Sequence, residues 1–79
     1  LTNLINYVRI NIFITIYEFH GDCFHGNPDL FEGHEQCHPY KKLKAKELYD
    51  KTKERENKII SLGYNLVTIW ENDFDKLIV

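Results

Sequence analysis

Two carboxylates and two imidazoles, Glu18, His20, Asp22 and His25, fall within eight residues of one another. A carboxylate can hold a divalent cation, and a neutral imidazole can take a proton from water or return one to a leaving oxygen. Glu18 and His20 are two apart, which on a strand puts both on one side. The chemistry this spacing allows is metal-assisted hydrolysis with Glu18, His20 and His25 as candidate catalytic groups and Glu18 and Asp22 as candidate metal ligands. The plainer alternatives stand beside it. Glu18 and His20 also suit a hydrogen-bonded pair at a sheet rim, and Asp22, just past Gly21, suits a turn whose backbone N–H groups it accepts.

Cys23, His25, His34, Cys37 and His38 supply enough soft donors for a tetrahedral zinc. Their order, Cys-x-His followed by a gap and then His-x-x-Cys-His, is not a tight zinc-knuckle spacing, and ordinary loop cysteines are the alternative. Further on, Lys44, Lys51, Arg55 and Lys58 are separated by seven, four and three residues and so share one stripe of a helix. Such a stripe can contact DNA phosphates. The interspersed Glu47, Asp50, Glu54 and Glu56 also allow a solvated face laced with ion pairs. Tyr17, Phe24 and Trp70 read as core or rim packing.

These groups need elements to position them. In residues 8–20 Val8, Ile10, Ile12, Ile14 and Ile16 alternate with the other face, a strand pattern with β-branched residues dominant. Both faces become apolar toward the end, which suits a central strand covered on each side. Glu18 and His20 continue the isoleucine face, and a buried carboxylate is costly unless paired or metal-bound. Residues 21–39, broken by glycines and prolines, read as a long loop. Residues 40–62 carry the helical period, with Leu43, Leu48, Thr52, Ile59 and Leu62 along one side and Gly63 as the stop. Asn65–Trp70 reads as a second buried strand and Glu71–Leu77 as a short closing helix. The order strand, long helix, strand predicts a crossover to a parallel neighbour, so the fold class is α/β with a small mixed sheet. Glu18 and His20 then lie at the carboxyl end of one strand and Glu71 beyond the other, where open sheets place their sites.

The chain has 79 residues, 43% hydrophobic and 14% aromatic, which is a folding composition and room for one small domain. A net charge of −2 argues against wholesale coating of nucleic acid while leaving one basic face available. The first residues lack the pattern of a signal peptide, and the apolar run ending at Phe19 is too short to span a bilayer, so no membrane partner is expected. Reduced thiols in a cytosolic or nuclear setting are the expectation.

The run Ile16-Tyr17-Glu18-Phe19-His20-Gly21-Asp22-Cys23-Phe24-His25-Gly26-Asn27-Pro28 resembles the central motif of very short patch repair endonucleases and their phage and large-virus homing-endonuclease relatives. These belong to the PD-(D/E)xK, restriction-endonuclease-like group. The blocks from Leu48 to Glu56 and from Leu62 to Glu71 match the same pattern in order and spacing, so the resemblance covers about residues 14–72. It implies a restriction-endonuclease-like core, magnesium as cofactor, double-stranded DNA as partner and water attack on a phosphodiester. His20 and His25 match the family's two histidines, and Glu18 sits where the broader group has its acidic residue, with His20 where lysine is usual. Two departures stand out. Residues 1–13 contain no Asp or Glu, whereas the family carries its main metal-binding aspartate on the preceding strand. The zinc cysteines of the repair enzymes are not matched, which disfavours zinc. The chain thus reads as an N-terminally incomplete nuclease core, with weak or no cleavage expected of it alone. The alternatives are a degenerate DNA-binding derivative and a small zinc-stabilised interaction module.

Overall fold

A computed structural model of the chain describes residues 14–77. The expected strand over residues 8–13 lies outside them. Strand β1 spans Thr15–His20, the four-residue helix α1 spans Asp22–His25, the long helix α2 spans Ala45–Ser61, β2 spans Asn65–Trp70 and α3 spans Glu71–Leu77. The two strands are parallel and in register from Thr15 opposite Asn65 to His20 opposite Trp70. This is a small α/β fold, and among the described residues its sheet has two strands and is parallel throughout rather than mixed.

Helix α2 begins at Ala45, five residues later than its periodicity predicts. No side chain caps it at Lys44. Loop carbonyls do so instead, since Ala45 N–H donates to Glu35 O at 2.7 Å and Lys46 N–H to Gly33 O at 3.1 Å. Those two bonds satisfy donors that a helix start otherwise leaves open, and they fix the loop to the helix. At the far end the chain turns through Gly63, whose φ of 94° is the left-handed conformation glycine tolerates. The buried stripe of α2 is Ala45, Leu48, Thr52 and Glu56, spaced by three and four. Leu62, expected on that stripe, is 58% exposed, because the helix has already ended at Ser61.

Among the described residues, strand β1 is covered on one side. Ile16 and Glu18 are half-buried and His20 is buried, while Tyr17 is 76% and Phe19 54% exposed. The expected cover on both faces is not met among the described residues: α2 lies on the even-numbered side, and on the odd side Phe19 packs edge to face on Phe74 of α3 at 5.6 Å. Residues 21–39 are also not wholly irregular. Helix α1 forms directly after Gly21 and ends at Gly26, whose φ is 66°. A Cβ at Gly26 would collide with the carbonyl oxygen of Ala45, so the close approach of α1 to the start of α2 requires glycine. Among the described residues no helix is long and apolar enough to cross a membrane.

Candidate functional site

The interior where β1, α1 and α2 meet is mostly polar. Among the described residues the buried apolar side chains are Ala45 and Leu48, against His20, Asp22, Asn27, Thr52 and Glu56 as buried polar ones. Buried polar groups are tolerated when paired, and each of these has a partner. His20 is 3% exposed and its Nε2 lies 3.0 Å from Glu56 Oε2. Lys53 reaches the other oxygen of Glu56 at 3.1 Å. Burial raises the Glu56 carboxyl, but the hydrogen bonds from His20 and Lys53 and the Lys53 charge together outweigh it and hold the group below the usual carboxylate range.

His25 stands beside His20, with ring centroids 4.6 Å apart, and its Nδ1 lies 3.0 Å from Thr52 Oγ1. Burial lowers its proton affinity from the ordinary imidazole value, and the neighbouring His20 lowers it further. His25 is therefore held neutral. Trp70 packs against both rings, at 5.3 and 6.5 Å, and Tyr49 stacks on Trp70 at 6.4 Å, so β2 and α2 close the back of the pair.

Glu18 precedes His20 by two residues on β1, and its partner Arg55 is next to Glu56 on α2. Arg55 donates to Glu18 Oε2 through Nε at 3.2 Å and Nη2 at 2.6 Å. The Arg55 hydrogen bond holds the Glu18 carboxyl below the usual carboxylate range against the upward push of burial. Glu18 Oε1 is buried and has no hydrogen-bond partner among the described residues. Tyr17, Glu18, Phe19, His20, His25 and Arg55 line a cleft of about 480 Å³. A second, more apolar hollow of about 220 Å³ lies under the start of α2, between Gly26, Pro28, Phe31 and Tyr49. It contains none of the site candidates.

Glu18, His20 and His25 are thus brought to one cleft. Asp22 is not among its lining residues. Its Oδ1 accepts from Asn27 Nδ2 at 2.8 Å and from the Asn72 backbone N–H at 3.3 Å, and its own N–H donates to Glu71 Oε1 at 3.1 Å. Asp22 and Glu71 tie the start of α1 to the start of α3. The basic stripe is split: Arg55 is committed to Glu18, while Lys44, Lys51 and Lys58 are exposed and make no ion pair among the described residues. Cys23 and Cys37 are free thiols, with Cys37 Sγ donating to the Cys23 carbonyl at 3.3 Å. Burial raises the Cys37 thiol. His38 Nδ1 accepts the N–H groups of Tyr40 and Lys41, and His34 is an exposed partner of Glu32.

Among the described residues no three His, Cys, Asp or Glu side chains are grouped to hold a metal. Magnesium takes six oxygen ligands but commonly only one or two from protein carboxylates, the rest being water and substrate phosphate. The orphan oxygen of Glu18 fits one such carboxylate. Three participants were missed in the sequence: Thr52, read as part of the apolar stripe; Glu56, read as a surface charge; and Arg55 as the partner of Glu18. The available signal was positional. Thr52 and Glu56 fall on the same side of α2 as Leu48, and a carboxylate on an apolar stripe needs a buried partner.

Compared with known proteins, the chain matches no protein-family model, no curated protein and no solved structure.

Proposed function

We propose that this chain is a restriction-endonuclease-like nuclease core that hydrolyses DNA phosphodiester bonds with magnesium, similar in kind to very short patch repair endonucleases. The observation that carries the reading is the unpartnered, buried Glu18 Oε1 beside two imidazoles in one cleft. A buried carboxylate oxygen without a donor is costly, and a cation would supply what the protein does not. Magnesium held there would neutralise charge on the phosphoryl group. His25, kept neutral, accepts a proton from water as its oxygen bonds to phosphorus and the bond to the departing sugar oxygen breaks. His20, almost wholly enclosed and tied to Glu56, positions the His25 ring. Lys44, Lys51 and Lys58 contact the flanking phosphates.

The test is cleavage of supercoiled and mismatched duplex DNA with and without magnesium, using Glu18→Gln and His25→Ala as controls. Weak magnesium-dependent cutting that both substitutions reduce further, by about 10²-fold or more, is expected. The second reading is a DNA-binding derivative without catalysis, favoured by the absence of a three-ligand group among the described residues. Salt-dependent duplex binding by folded protein with no cleavage at any magnesium concentration would replace the first reading with the second.

A further inference from the structure

Thr52 Oγ1 lies 3.0 Å from the Leu48 backbone carbonyl and 3.0 Å from His25 Nδ1. A hydroxyl has one proton to donate and lone pairs with which to accept. Thr52 donates that proton one turn back along α2, to the Leu48 carbonyl, a bond that helical threonines commonly make. The hydrogen in the bond to His25 must then come from the ring. A neutral imidazole carries one N–H, so a proton on Nδ1 leaves Nε2 as a bare lone pair. Nε2 makes no hydrogen bond to the protein among the described residues, and His25 lines the cleft it shares with Glu18 and Arg55.

We propose that Thr52 is a positioning residue: by accepting the Nδ1–H of His25 it fixes one tautomer of the ring and leaves the Nε2 lone pair for the cleft. The residue type matters as much as the distance. A carboxylate at position 52 would favour the charged ring, whereas a hydroxyl orients the ring without adding negative charge. Thr52 and Glu56 are four apart on one face of α2, so a single helix turn engages opposite nitrogens of two adjacent rings, Nδ1 of His25 and Nε2 of His20. The hydroxyl is also donating to its own helix backbone, which leaves it no proton to offer the ring.

The bearing of this arrangement on catalysis rests on the nuclease reading above, but the tautomer does not. The test is a long-range proton–nitrogen correlation spectrum of the 15N-labelled full chain at about pH 8, where imidazoles are neutral. The wild type and Thr52→Ser are expected to carry the His25 proton on Nδ1. Thr52→Val, which keeps the shape and removes the acceptor, is expected to shift it toward Nε2. A wild-type ring protonated at Nε2, or a valine variant with an unchanged tautomer, overturns the proposal. Should the valine variant not fold, the wild-type and serine spectra decide. In magnesium-dependent cleavage, Thr52→Val should lower kcat by about 10²-fold with little change in KM, and Thr52→Ser should restore it. A valine variant with the altered tautomer and wild-type kcat overturns the positioning role. A wild type that binds but never cuts overturns the nuclease reading and leaves the tautomer assignment standing.

Discussion

The two sides of β1 are built on opposite principles. On the even-numbered side, His20 and Glu18 meet α2 through specific polar partners, Glu56 and Arg55, and Thr52 of the same helix holds the adjacent His25 of α1. On the odd-numbered side, Tyr17, Phe19, Val67, Phe74 and Leu77 present large apolar surface to solvent. The usual arrangement buries apolar groups and exposes polar ones, so both deviations carry information. The polar side is costly to enclose and is enclosed with named partners, which is how sites are built. The apolar side contributes little to holding the described fold together. Stability should therefore respond steeply to changes on the polar side and weakly on the other.

The largest effect is expected from Glu56→Ala, which leaves His20 enclosed without its partner and should cost about 3 kcal/mol in urea unfolding. A loss below about 1 kcal/mol would mean His20 is rehydrated and the polar side is not a fixed structure. Next comes Asn27→Ala. Asn27 is 1% exposed, donates to Asp22 Oδ1 and accepts the Asp29 N–H. Losing both bonds should cost about 2 kcal/mol, and a near-neutral result would show that Asn72 alone suffices to hold Asp22.

Acidification sharpens the comparison without mutation. The folded His25 binds its proton less readily than the ordinary imidazole value of 6.5, chiefly through burial. Between that value and the depressed folded one the unfolded chain binds more protons, so stability is full above it and falls as pH drops. Glu18 and Glu56, both below their ordinary 4.5, add a second loss on further acidification. Urea midpoints that fall from neutral pH downward are expected, and a flat or rising profile contradicts the assignment. The smallest effect is expected from Tyr17→Thr, within about 0.5 kcal/mol of wild type. A loss of several times that would show that something covers the outer face in solution.

How much of this was legible follows the kind of signal each part leaves. Strand β2 and helix α3 span the residues the pattern gave them, because a largely apolar run ends at Trp70 and a mostly polar heptad follows it, but β2, expected to be buried, is half-buried at best, with Val67 50% exposed. The parallel crossover followed from connection length alone. The start of α2 was misread because its cap is made by Glu35 and Gly33 carbonyls, a tertiary arrangement with no local residue preference. Helix α1, four residues long, is shorter than the window in which a helical period can be recognised. Glu18, His20 and His25 were identifiable by type and spacing. Their partners on α2 left only a positional trace, Thr52 and Glu56 lying on the same side of the helix as Leu48.

The parallel pairing also bears on how the molecule is made. His20 and Glu56 are 36 residues apart, and Thr15 meets Asn65 only after the whole crossover exists. At translation rates of about 5–20 residues per second, β1 waits seconds on the ribosome before the residues that hold it are synthesised. During that interval Phe19 lacks Phe74, and neither imidazole has its partner on α2. The cleft therefore has no half-finished form in the nascent chain: it arises when α2 docks, and the two histidines acquire their orientations in the same event.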